Sequence, residues 1–577
     1  MAQPWTCNVC TFINENPLYT ACEMCDTVRS STLIEPVAVF DSILTPKKRK
    51  PRIYDLTCQP LIDSNQVKRS RLHPCDDSTS SELHKFNSIK PVDLTLDLKD
   101  TSTLKPCFGG RIGMTFITGH NSQKRIRFQD LVDKATLKKA CLSSFSIDDD
   151  WLCDVFPSTI KICLARPKPK MVPESVDKLP VTNNILWVFP KMSAGYGAMH
   201  IKFQLLWYPK FLRVVITSAN LMPHDWQELE NVVFYQDFPI LNSRVRQSQH
   251  SETASSSTNE FSKTLYNLLV SMNIPQSVIA SVQKHDFSKA LGMLVVSLPG
   301  KHDATSMETR QFGSMGLCTA SQVISRQFRF DLEQAIVCMQ TASMGSTHPA
   351  WLRYMLSAFR GQDVIPETPS LASFFTQSMS SIEPITILFP SRRTVETSRN
   401  GIPGGGTIFF SSKFWSTFPR HIIRDGVSKT QGILMHSKIN VVIGIGYIDL
   451  LATSQQLDIV SVPIHTQDNA HDHNTKLEKE IHGYIYCGSH NATQAAWGSV
   501  PVMRSSVSTS SQSCKSIQHG HLQVEIKNWE LGILLPFRIR DACSHSSVGF
   551  NPDLSFVLPF EYPPAKYGPT DKPFSQY

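Results

Sequence analysis

The chain has 577 residues, of which 41% are hydrophobic and 18% are charged. This low charged fraction excludes a wholly disordered chain, and the length predicts more than one domain. No stretch approaches the roughly 18 uncharged apolar residues of a membrane span, and residues 1–7 lack the pattern of a signal peptide, so we expect no contact with a membrane. Lys and Arg outnumber Asp and Glu by 57 to 49, which permits a nucleic-acid partner without requiring one.

Residues 1–29 are rich in cysteine. Two Cys-x-x-Cys pairs have the spacing of a closed tetrahedral site for a structural Zn²⁺ ion, and the expected ligands are Cys7, Cys10, Cys22 and Cys25. The other eleven of the 15 cysteines are scattered singly, which indicates a reducing compartment rather than a disulfide framework. A unit this small has almost no core, so the metal would supply most of its folding free energy.

The cysteine-rich segment resembles the small Ran-binding-protein-type zinc finger, which also has residues matching Trp5 and Asn14. The RNA-binding members of that family use arginines, and residues 1–26 contain none. The pair Thr11-Phe12 with Met24 instead resembles the ubiquitin-binding members. The resemblance therefore implies ubiquitin binding; the alternative is a finger that caps the chain or binds another protein.

Residues 30–108 are polar and show no sustained periodicity, so we predict a disordered linker. Within it, residues 46–52 hold five basic side chains in seven and are flanked by proline, as in a nuclear localisation signal. The alternative is a solvated run of charge. Residues 53–57 and 91–96 are short apolar segments beside acidic residues, and they resemble SUMO-interacting motifs.

From residue 109 onward the chain has a globular pattern, and it divides near residue 300 into segments 109–300 and 301–577. The apolar runs at 184–189 and 212–217 predict buried strands, whereas residues 261–272 have helical spacing. Strands that alternate with helices predict an α/β fold with a largely covered sheet. Three polar stretches are expected to be surface insertions, at residues 248–260, 467–480 and 505–516.

A weak internal repeat runs through this globular part. The order His-x-Lys, Asn, Trp occurs twice, and its two histidines are 236 residues apart, which fits one domain length. The first copy contains His200, Lys202, Asn220 and Trp226, and the second contains His436, Lys438, Asn491 and Trp497. We expect the two tryptophans to pack in the core.

The six polar residues of the repeat have the chemistry of a phosphoryl-transfer site. Lysine and asparagine can hold the equatorial oxygens of a phosphoryl group through charge-assisted hydrogen bonds. One imidazole can attack phosphorus, and the other can protonate the leaving oxygen. No cluster of Asp and Glu suited to Mg²⁺ accompanies the set, so the sequence favours metal-free transfer over a two-metal nuclease.

The paired His-Lys-Asn sets resemble the phospholipase D superfamily, and within it the tyrosyl-DNA phosphodiesterase family. The superfamily motif adds an Asp five residues after the Lys, where this chain has Trp207 and Ile443, and tyrosyl-DNA phosphodiesterases also lack that Asp. Further matches fall at residues 195–197, 340–346, 403–406 and 528–532. The resemblance covers residues 109–577 and implies two phospholipase D-like α-β-α sandwich domains with the active site between them.

The resemblance also implies a role for individual residues. His200 is similar to the nucleophile, His436 to the general acid and later base, and Glu530 to the carboxylate that orients a catalytic imidazole. The transition-state clamp would comprise Lys202, Asn220, Lys438 and Asn491. The residues that would contact the DNA or line the site are Tyr196, Ser343, Ser346, Ser489 and Thr493.

One position departs from the family pattern. The family commonly has a glutamine that supports the second histidine, and Asn231 stands there in this chain. Its side chain is one methylene shorter than glutamine, so the residue expected to support His436 is either Asn231 or, in its place, Gln227 or Gln236.

The resemblance implies a monomeric DNA repair hydrolase that needs no cofactor for catalysis, and the basic cluster at residues 46–52 predicts that it is nuclear. Its substrate would be single- or double-stranded DNA with a 3′ adduct, in particular a topoisomerase I peptide joined through tyrosine. The alternatives are another phospholipase D-type nuclease and a non-catalytic ubiquitin-binding adaptor with a degenerate phosphodiesterase domain. The range of 3′ leaving groups does not follow from the sequence.

Overall fold

The computed structural model describes residues 104–120, 125–193, 197–241, 259–345, 347–362, 384–449, 477–504, 521–540, 558–560 and 563–575. All of them belong to one unit of the chain, which leaves out residues 30–101. Near the N-terminus two short strands are also described, β1 (Trp5–Thr6) and β2 (Ile13–Asn14), which pair antiparallel. The predicted zinc ligands, the ubiquitin-binding residues, the linker motifs, Tyr196 and Ser346 lie outside the described residues.

The first half of the globular part forms a mixed eight-stranded sheet. Its strands are β3 (Arg111–Met114), β4 (Lys139–Ser143), β5 (Lys161–Ala165), β6 (Lys178–Thr182), β7 (Ile185–Val188), β8 (Phe203–Trp207), β9 (Phe211–Thr217) and β10 (Val232–Pro239). Their spatial order is β3-β10-β9-β8-β4-β5-β7-β6. The pairs β4–β5 and β5–β7 are parallel, and the other pairs are antiparallel. β7 and β9 confirm the two strands predicted from the apolar runs.

The second half forms a seven-stranded sheet and two smaller ones. Its strands are β11 (Met293–Ser297), β12 (Gly300–Asp303), β13 (Ile336–Gln340), β14 (Ser343–Met344), β15 (Ile385–Phe389), β16 (Phe409–Phe410), β17 (Ile423–Asp425), β18 (Ile439–Asp449), β19 (Leu477–Gly488), β20 (Val502–Arg504), β21 (His521–Ile526) and β22 (Glu530–Arg540). The main sheet has the order β11-β22-β19-β18-β13-β15-β17. β11 belongs to this sheet although it precedes residue 301.

Helices cover the sheets, and most of them are short. They are α1 (Phe128–Leu131), α2 (Asp149–Val155), α3 (Pro223–Gln227), α4 (Glu260–Ser271), α5 (Gln276–Val282), α6 (Gly313–Phe328), α7 (Pro349–Phe359), α8 (Arg392–Glu396), α9 (Gly401–Gly404) and α10 (Gln494–Trp497). In the part of the chain that the structure describes, 3₁₀ helices span Gly405–Thr407, Ser412–Phe414 and Arg420–Ile422. None of the helices in the described part of the chain is long and apolar enough to cross a membrane.

Helix α4 shows how the sequence directs these elements. The Asn259 side chain accepts a hydrogen bond from the Ser262 N–H at 3.0 Å and so caps the first turn. Phe261, Leu265 and Leu268 recur at helical spacing and are buried on one face. This helix confirms the one predicted over residues 261–272.

The two halves share one hydrophobic core. Phe203 and Leu205 of β8 belong to the same buried cluster as Val441 and Ile443 of β18, together with Leu265 of α4. Both β8 and β18 follow directly after a His-x-Lys pair. The shared core therefore holds the ends of these two strands in a fixed relation, and the candidate site lies at those ends.

Candidate active site

Each His-x-Lys pair lies in the extended residues that lead into a buried strand. Lys202 precedes β8, and its Nζ donates a hydrogen bond to the backbone oxygen of His200 at 2.8 Å. Lys438 precedes β18, and its Nζ donates to the backbone oxygen of His436 at 2.6 Å. Both lysine side chains are fully buried. The two copies of the repeat thus have the same local geometry: in each, the lysine side chain binds the backbone oxygen of the histidine two residues before it.

The halves exchange backbone contacts next to each histidine. The His200 N–H donates to the backbone oxygen of Trp529 at 3.1 Å, and Met199 pairs with Trp529 in a parallel bridge. In the same way the His436 N–H donates to the backbone oxygen of Glu230 at 2.9 Å. The residue that follows each backbone acceptor therefore lies next to the histidine of the other half. Neither half alone contains a complete histidine environment.

Glu530 is the residue delivered to His200. Its Oε2 lies 2.8 Å from His200 Nδ1, and its Oε1 accepts a hydrogen bond from Asn528 Nδ2 at 3.0 Å. The Asn528 amide is oriented in turn, since its Oδ1 accepts from the Ala198 N–H at 2.9 Å. A carboxylate can only accept, so His200 carries its proton on Nδ1 and keeps a lone pair on Nε2.

Asn231 is the residue delivered to His436. Its Oδ1 lies 3.0 Å from His436 Nδ1 and also accepts from Ser218 Oγ at 2.8 Å. Its Nδ2 donates to the backbone oxygen of Asp225 at 2.9 Å, which orients the amide. The shorter side chain therefore reaches His436 after all. His436 is left with Nδ1 as donor, so Nε2 is the nitrogen that can exchange a proton with a ligand.

The two glutamines considered as substitutes for Asn231 lie elsewhere. Gln236 Nε2 donates to the backbone oxygens of Phe108 and Lys289, at 2.9 and 2.7 Å. Gln227 lines a separate cavity together with Phe116 and Arg127. Asn231, and neither of these two glutamines, is therefore the residue that contacts His436.

The two asparagines of the repeat lie beyond the ends of β9 and β19. The Asn220 backbone N–H and Nδ2 both donate to Asp225 Oδ2, at 2.6 and 2.9 Å. Asn491 Oδ1 accepts from the Ser343 N–H at 3.0 Å and from Thr341 Oγ1 at 3.2 Å. Because its carbonyl oxygen is occupied, the Nδ2 group of Asn491 is available to donate to a ligand.

Electrostatics in the site favour an anionic ligand. Burial lowers the pKa of Lys202 to about 8, against the opposing attraction of Glu530 and Asp225. Burial and the charge of Lys202 lower the pKa of Lys438 well below its usual range. Burial and Lys438 likewise lower the pKa of His436. Cationic groups crowded in this way gain by binding a phosphate anion, which would raise each of these pKa values.

His200, the histidine nearest to a carboxylate, is held neutral. Burial and the two lysines lower the pKa of His200, although Glu530 opposes them. Burial would raise the pKa of Glu530, but attraction and hydrogen bonding from His200, with help from His490 and Lys202, lower it to about 2. A neutral His200 beside an ionised Glu530 has the protonation state that a nitrogen nucleophile needs.

The remaining predicted site residues have different surroundings. Ser343 is half-buried, and its backbone N–H donates to Asn491 Oδ1 at 3.0 Å. Thr493 accepts from the Ala496 N–H at 3.1 Å and caps α10. Ser489 differs from the expectation: it is fully buried, and its Oγ donates to the Leu531 backbone oxygen and accepts from the Leu531 N–H. Its hydrogen bonds join β22 to the end of β19, so it supports the site from within the sheet.

Sequence reasoning missed three neighbours of the catalytic set. Asp225 binds Asn220 and lies 3.6 Å from His436 Nδ1, but the repeat had shown it only as a residue beside a tryptophan. Ser218 supports Asn231, and the ring of Phe145 lies 5.5 Å from the His200 ring. Serine and phenylalanine are too common for a single sequence to single them out. Asp225 could have been found from the sequence, because only the first copy of the repeat has an acidic residue before its tryptophan.

The geometry points to a class of enzyme. Two His-x-Lys pairs and two asparagines, contributed by halves that exchange supporting residues, form a candidate site for phosphoryl transfer. Residues 112–568 match the family model for tyrosyl-DNA phosphodiesterase, which is more than half of the chain. The chain therefore belongs to the tyrosyl-DNA phosphodiesterase family, and it is an enzyme of that family.

Individual relatives are distant but cover most of the chain. A probable tyrosyl-DNA phosphodiesterase of Caenorhabditis elegans is 24% identical over 457 residues, which span 75% of this chain and 80% of that protein. Tyrosyl-DNA phosphodiesterase 1 of Arabidopsis thaliana is 22% identical and matches 76% of this chain and 69% of its own length. A histidine-to-asparagine mutant of the yeast enzyme has the same fold, with a TM-score of 0.53 at 16% identity over 81% of this chain and 100% of that one.

Proposed function

We propose that this enzyme hydrolyses the bond between a DNA 3′-phosphate and tyrosine, such as that left by topoisomerase I, through a covalent phosphohistidine on His200. The observation that supports this assignment is the hydrogen bond from His200 Nδ1 to Glu530 at 2.8 Å. It leaves the Nε2 lone pair free for attack. The alternatives, a non-catalytic adaptor or another nuclease of the superfamily, are less well supported because both histidines have intact supporting groups.

In the first step Nε2 of His200 attacks phosphorus. The new N–P bond forms as the bond from phosphorus to the tyrosine oxygen breaks. His436 carries a proton on Nε2 in this step and transfers it to the departing oxygen, so that tyrosine leaves as a neutral phenol. The DNA 3′ end is now joined to His200, and His436 is neutral.

In the second step a water molecule replaces the histidine. His436 Nε2 takes a proton from the water as its oxygen attacks phosphorus, and the N–P bond breaks. The electron pair of that bond returns to His200 Nε2. The products are a DNA 3′-phosphate and a protonated His436, which is the state required for the next turnover.

Charge that develops on the phosphoryl oxygens would be stabilised by Lys202, Lys438, Asn220 and Asn491. The two lysines supply positive charge from a buried position, where electrostatic interactions are strong. Asn491 supplies an amide donor whose orientation is set by Ser343 and Thr341. These groups do what a divalent metal would do in other phosphodiesterases, so we propose that catalysis is independent of metal.

The test is a single-stranded oligonucleotide with a 3′-phosphotyrosine, incubated with the purified protein in the presence of EDTA. We expect conversion to a 3′-phosphate by the wild-type protein and none by a His200→Ala variant. A folded wild-type protein that converts none of the substrate would exclude the proposed reaction and leave the adaptor function. Activity that disappears only in EDTA would exclude metal independence.

The lowered pKa of Lys202 predicts an alkaline limit to activity. A lysine is charged below its pKa. With a p-nitrophenyl substrate, whose leaving group departs with little help from the acid His436, kcat/KM should therefore fall as the pH rises through about 8, where the free enzyme loses this charge. Lys202→Arg keeps its charge at all these pH values and should shift the limit upward, at a lower maximal rate. The measurement is kcat/KM from neutral to alkaline pH, with the exposed Lys301→Arg as matched control. A limit that stays in place in Lys202→Arg would show that another group titrates.

We further propose that residues 1–29 bind Zn²⁺ through Cys7, Cys10, Cys22 and Cys25 and then recognise ubiquitin. Support comes from the Cys-x-x-Cys spacing and from the pairing of Trp5 with Asn14, which places two short strands on either side of the first knuckle in sequence. Among the residues that the structure describes, no group of His, Cys, Asp and Glu forms a metal site, and the four cysteines are not among them. Nuclear location, proposed from residues 46–52, and SUMO binding by residues 91–96 rest on sequence alone.

The ubiquitin proposal predicts a substrate-selective defect. Phe12→Ala should slow action on a ubiquitin-modified protein adduct severalfold and leave the rate on a bare tyrosyl oligonucleotide unchanged, because the finger would act only in recruitment. Phe40→Ala, the same change outside the finger, is the matched control. Equal loss on both substrates would count against recruitment and indicate an effect on folding.

A further inference from the structure

The two catalytic histidines are supported unequally. His200 contacts a carboxylate, that of Glu530, at 2.8 Å, whereas His436 contacts an amide, that of Asn231, at 3.0 Å. An amide accepts a hydrogen bond but supplies no charge to balance an imidazolium. Yet under the proposed mechanism His436 is the histidine that must carry a proton when the reaction begins.

A second carboxylate lies close to His436. Asp225 is fully buried, and its Oδ2 is 3.6 Å from His436 Nδ1. The same oxygen accepts both hydrogen bonds from Asn220, while Oδ1 lies 3.2 Å from Nε2 of His224. Two hydrogen bonds from Asn220 and the contact with His224 thus hold the Asp225 carboxylate beside His436. Asn231 remains the hydrogen-bond partner of His436.

The internal repeat shows that this arrangement is specific to one histidine. Asp225 stands five residues after Asn220, and the corresponding residue five after Asn491 is Ala496. The site therefore has one acid per histidine, and each acid comes from the other half of the chain. Glu530 of β22 reaches His200, and Asp225 of α3, the helix that follows Asn220, reaches His436.

We propose that Asp225 is a positioning residue that stabilises the protonated form of His436 electrostatically, while it also fixes Asn220. This inference rests on the proposed function of the site. The other charged or titratable groups that face His436 are Lys438, Lys202 and His200, and all three oppose its protonation. Asp225 is the group that favours it, and attraction to His436 and to His224 lowers the pKa of Asp225 despite its burial.

The inference predicts a dependence on the leaving group. Asp225→Asn keeps an oxygen that can accept from Asn220 but removes the charge. Tyrosine is a poor leaving group, so its departure needs the proton of His436, whereas the more acidic p-nitrophenol departs with little help. In single-turnover reactions near neutral pH, Asp225→Asn should slow release of tyrosine by roughly tenfold to a hundredfold and release of p-nitrophenol by less than about threefold.

Asp237→Asn is the matched control for loss of a buried carboxylate. Asp237 pairs with Arg213 at 2.8 Å near the far end of β10, so this variant should lower stability without changing the ratio of the two rates. Equal slowing of both substrates by Asp225→Asn would overturn the proposal, because a purely structural hold on Asn220 predicts that result. An unchanged Asp225→Asn variant would overturn it as well.

A second variant keeps the test decisive if Asp225→Asn does not fold. Asn231→Asp places a carboxylate in direct contact with His436 and should move the alkaline limb of the tyrosine-release step to higher pH. No such movement would show that charge beside Nδ1 does not govern His436, and the inference would fail. Wild-type protein that cannot process the tyrosyl substrate at all would instead remove the proposed function on which the inference rests.

Discussion

Glu530→Gln is expected to lower the single-turnover rate on a 3′-tyrosyl oligonucleotide by about 10³- to 10⁴-fold, although it changes the shape of the side chain very little. The reason lies in the fixed direction of the neighbouring hydrogen bonds. Asn528 donates from Nδ2 to the glutamate, and it cannot turn round because its Oδ1 accepts from the Ala198 N–H.

A glutamine at position 530 would have to present its oxygen to Asn528. Its amide NH₂ group would then face His200 Nδ1, at the place where the carboxylate now accepts at 2.8 Å. Such a contact favours the tautomer with the proton on Nε2, which removes the lone pair that attacks phosphorus. The expected loss therefore comes from the wrong tautomer rather than from lost packing.

This explanation can be separated from simple loss of charge by a second substitution. In Asn528→Asp, a carboxylate oxygen that accepts hydrogen bonds replaces the Nδ2 group that donated. In the Glu530→Gln background this oxygen would bind the glutamine NH₂ group and turn the glutamine oxygen back toward His200. We expect the double variant to recover at least about tenfold of the lost rate, because the productive tautomer returns. A double variant no faster than Glu530→Gln alone would contradict the tautomer argument. The measurement is the rate of tyrosine release in a single turnover.

The core of the candidate site could be predicted from the sequence because it is repeated. The order His-x-Lys, Asn, Trp occurs twice, and the structure gives the pair His200–Lys202 the same geometry as the pair His436–Lys438. The strands at residues 185–188 and 211–217 were predictable for a different reason, namely their continuous apolar runs. In the structure β9 is buried along its whole length, whereas β7 alternates between buried and half-buried residues.

Contacts between the two halves could not be predicted from the repeat or from apolar runs. Glu530 lies 330 residues from His200 in sequence, and Asn231 lies 205 residues from His436. Each pair depends on a short parallel bridge between loops, and no periodicity in the sequence encodes such a bridge. Ser489 was assigned to the site by resemblance, and its hydrogen bonds to Leu531 could be found only from the structure.

The connection between β18 and β19 also limits what a pattern can predict. Residues 467–480 have the composition of a surface insertion, yet β19 already begins at Leu477. The polar residues Glu478 and Glu480 stand opposite Ile448 and Gly446 in a hairpin that continues the main sheet. Strands pair through backbone hydrogen bonds, whereas core packing depends on apolar side chains. A strand can therefore contain polar residues whose composition would predict a loop.

His436→Asn is expected to convert the enzyme into one that stays attached to DNA. Asparagine cannot take a proton from water as imidazole does, so hydrolysis of the phosphohistidine on His200 should slow by about 10²- to 10⁴-fold. Its formation should slow less when the leaving group is p-nitrophenol, because that departure needs little acid catalysis. The covalent complex should therefore accumulate with p-nitrophenyl substrate.

The adduct can be followed with a labelled oligonucleotide on a denaturing gel, where protein and DNA would migrate together. Phosphohistidine is labile to acid, so mild acid should release the DNA with a 3′-phosphate. The double variant His200→Ala, His436→Asn should form no adduct, since the proposed nucleophile is absent. An adduct that persists in the double variant would place the covalent bond elsewhere. If His200→Ala rather than His436→Asn accumulates adduct, the two histidines have exchanged roles, and the difference between Glu530 and Asn231 does not decide which one attacks.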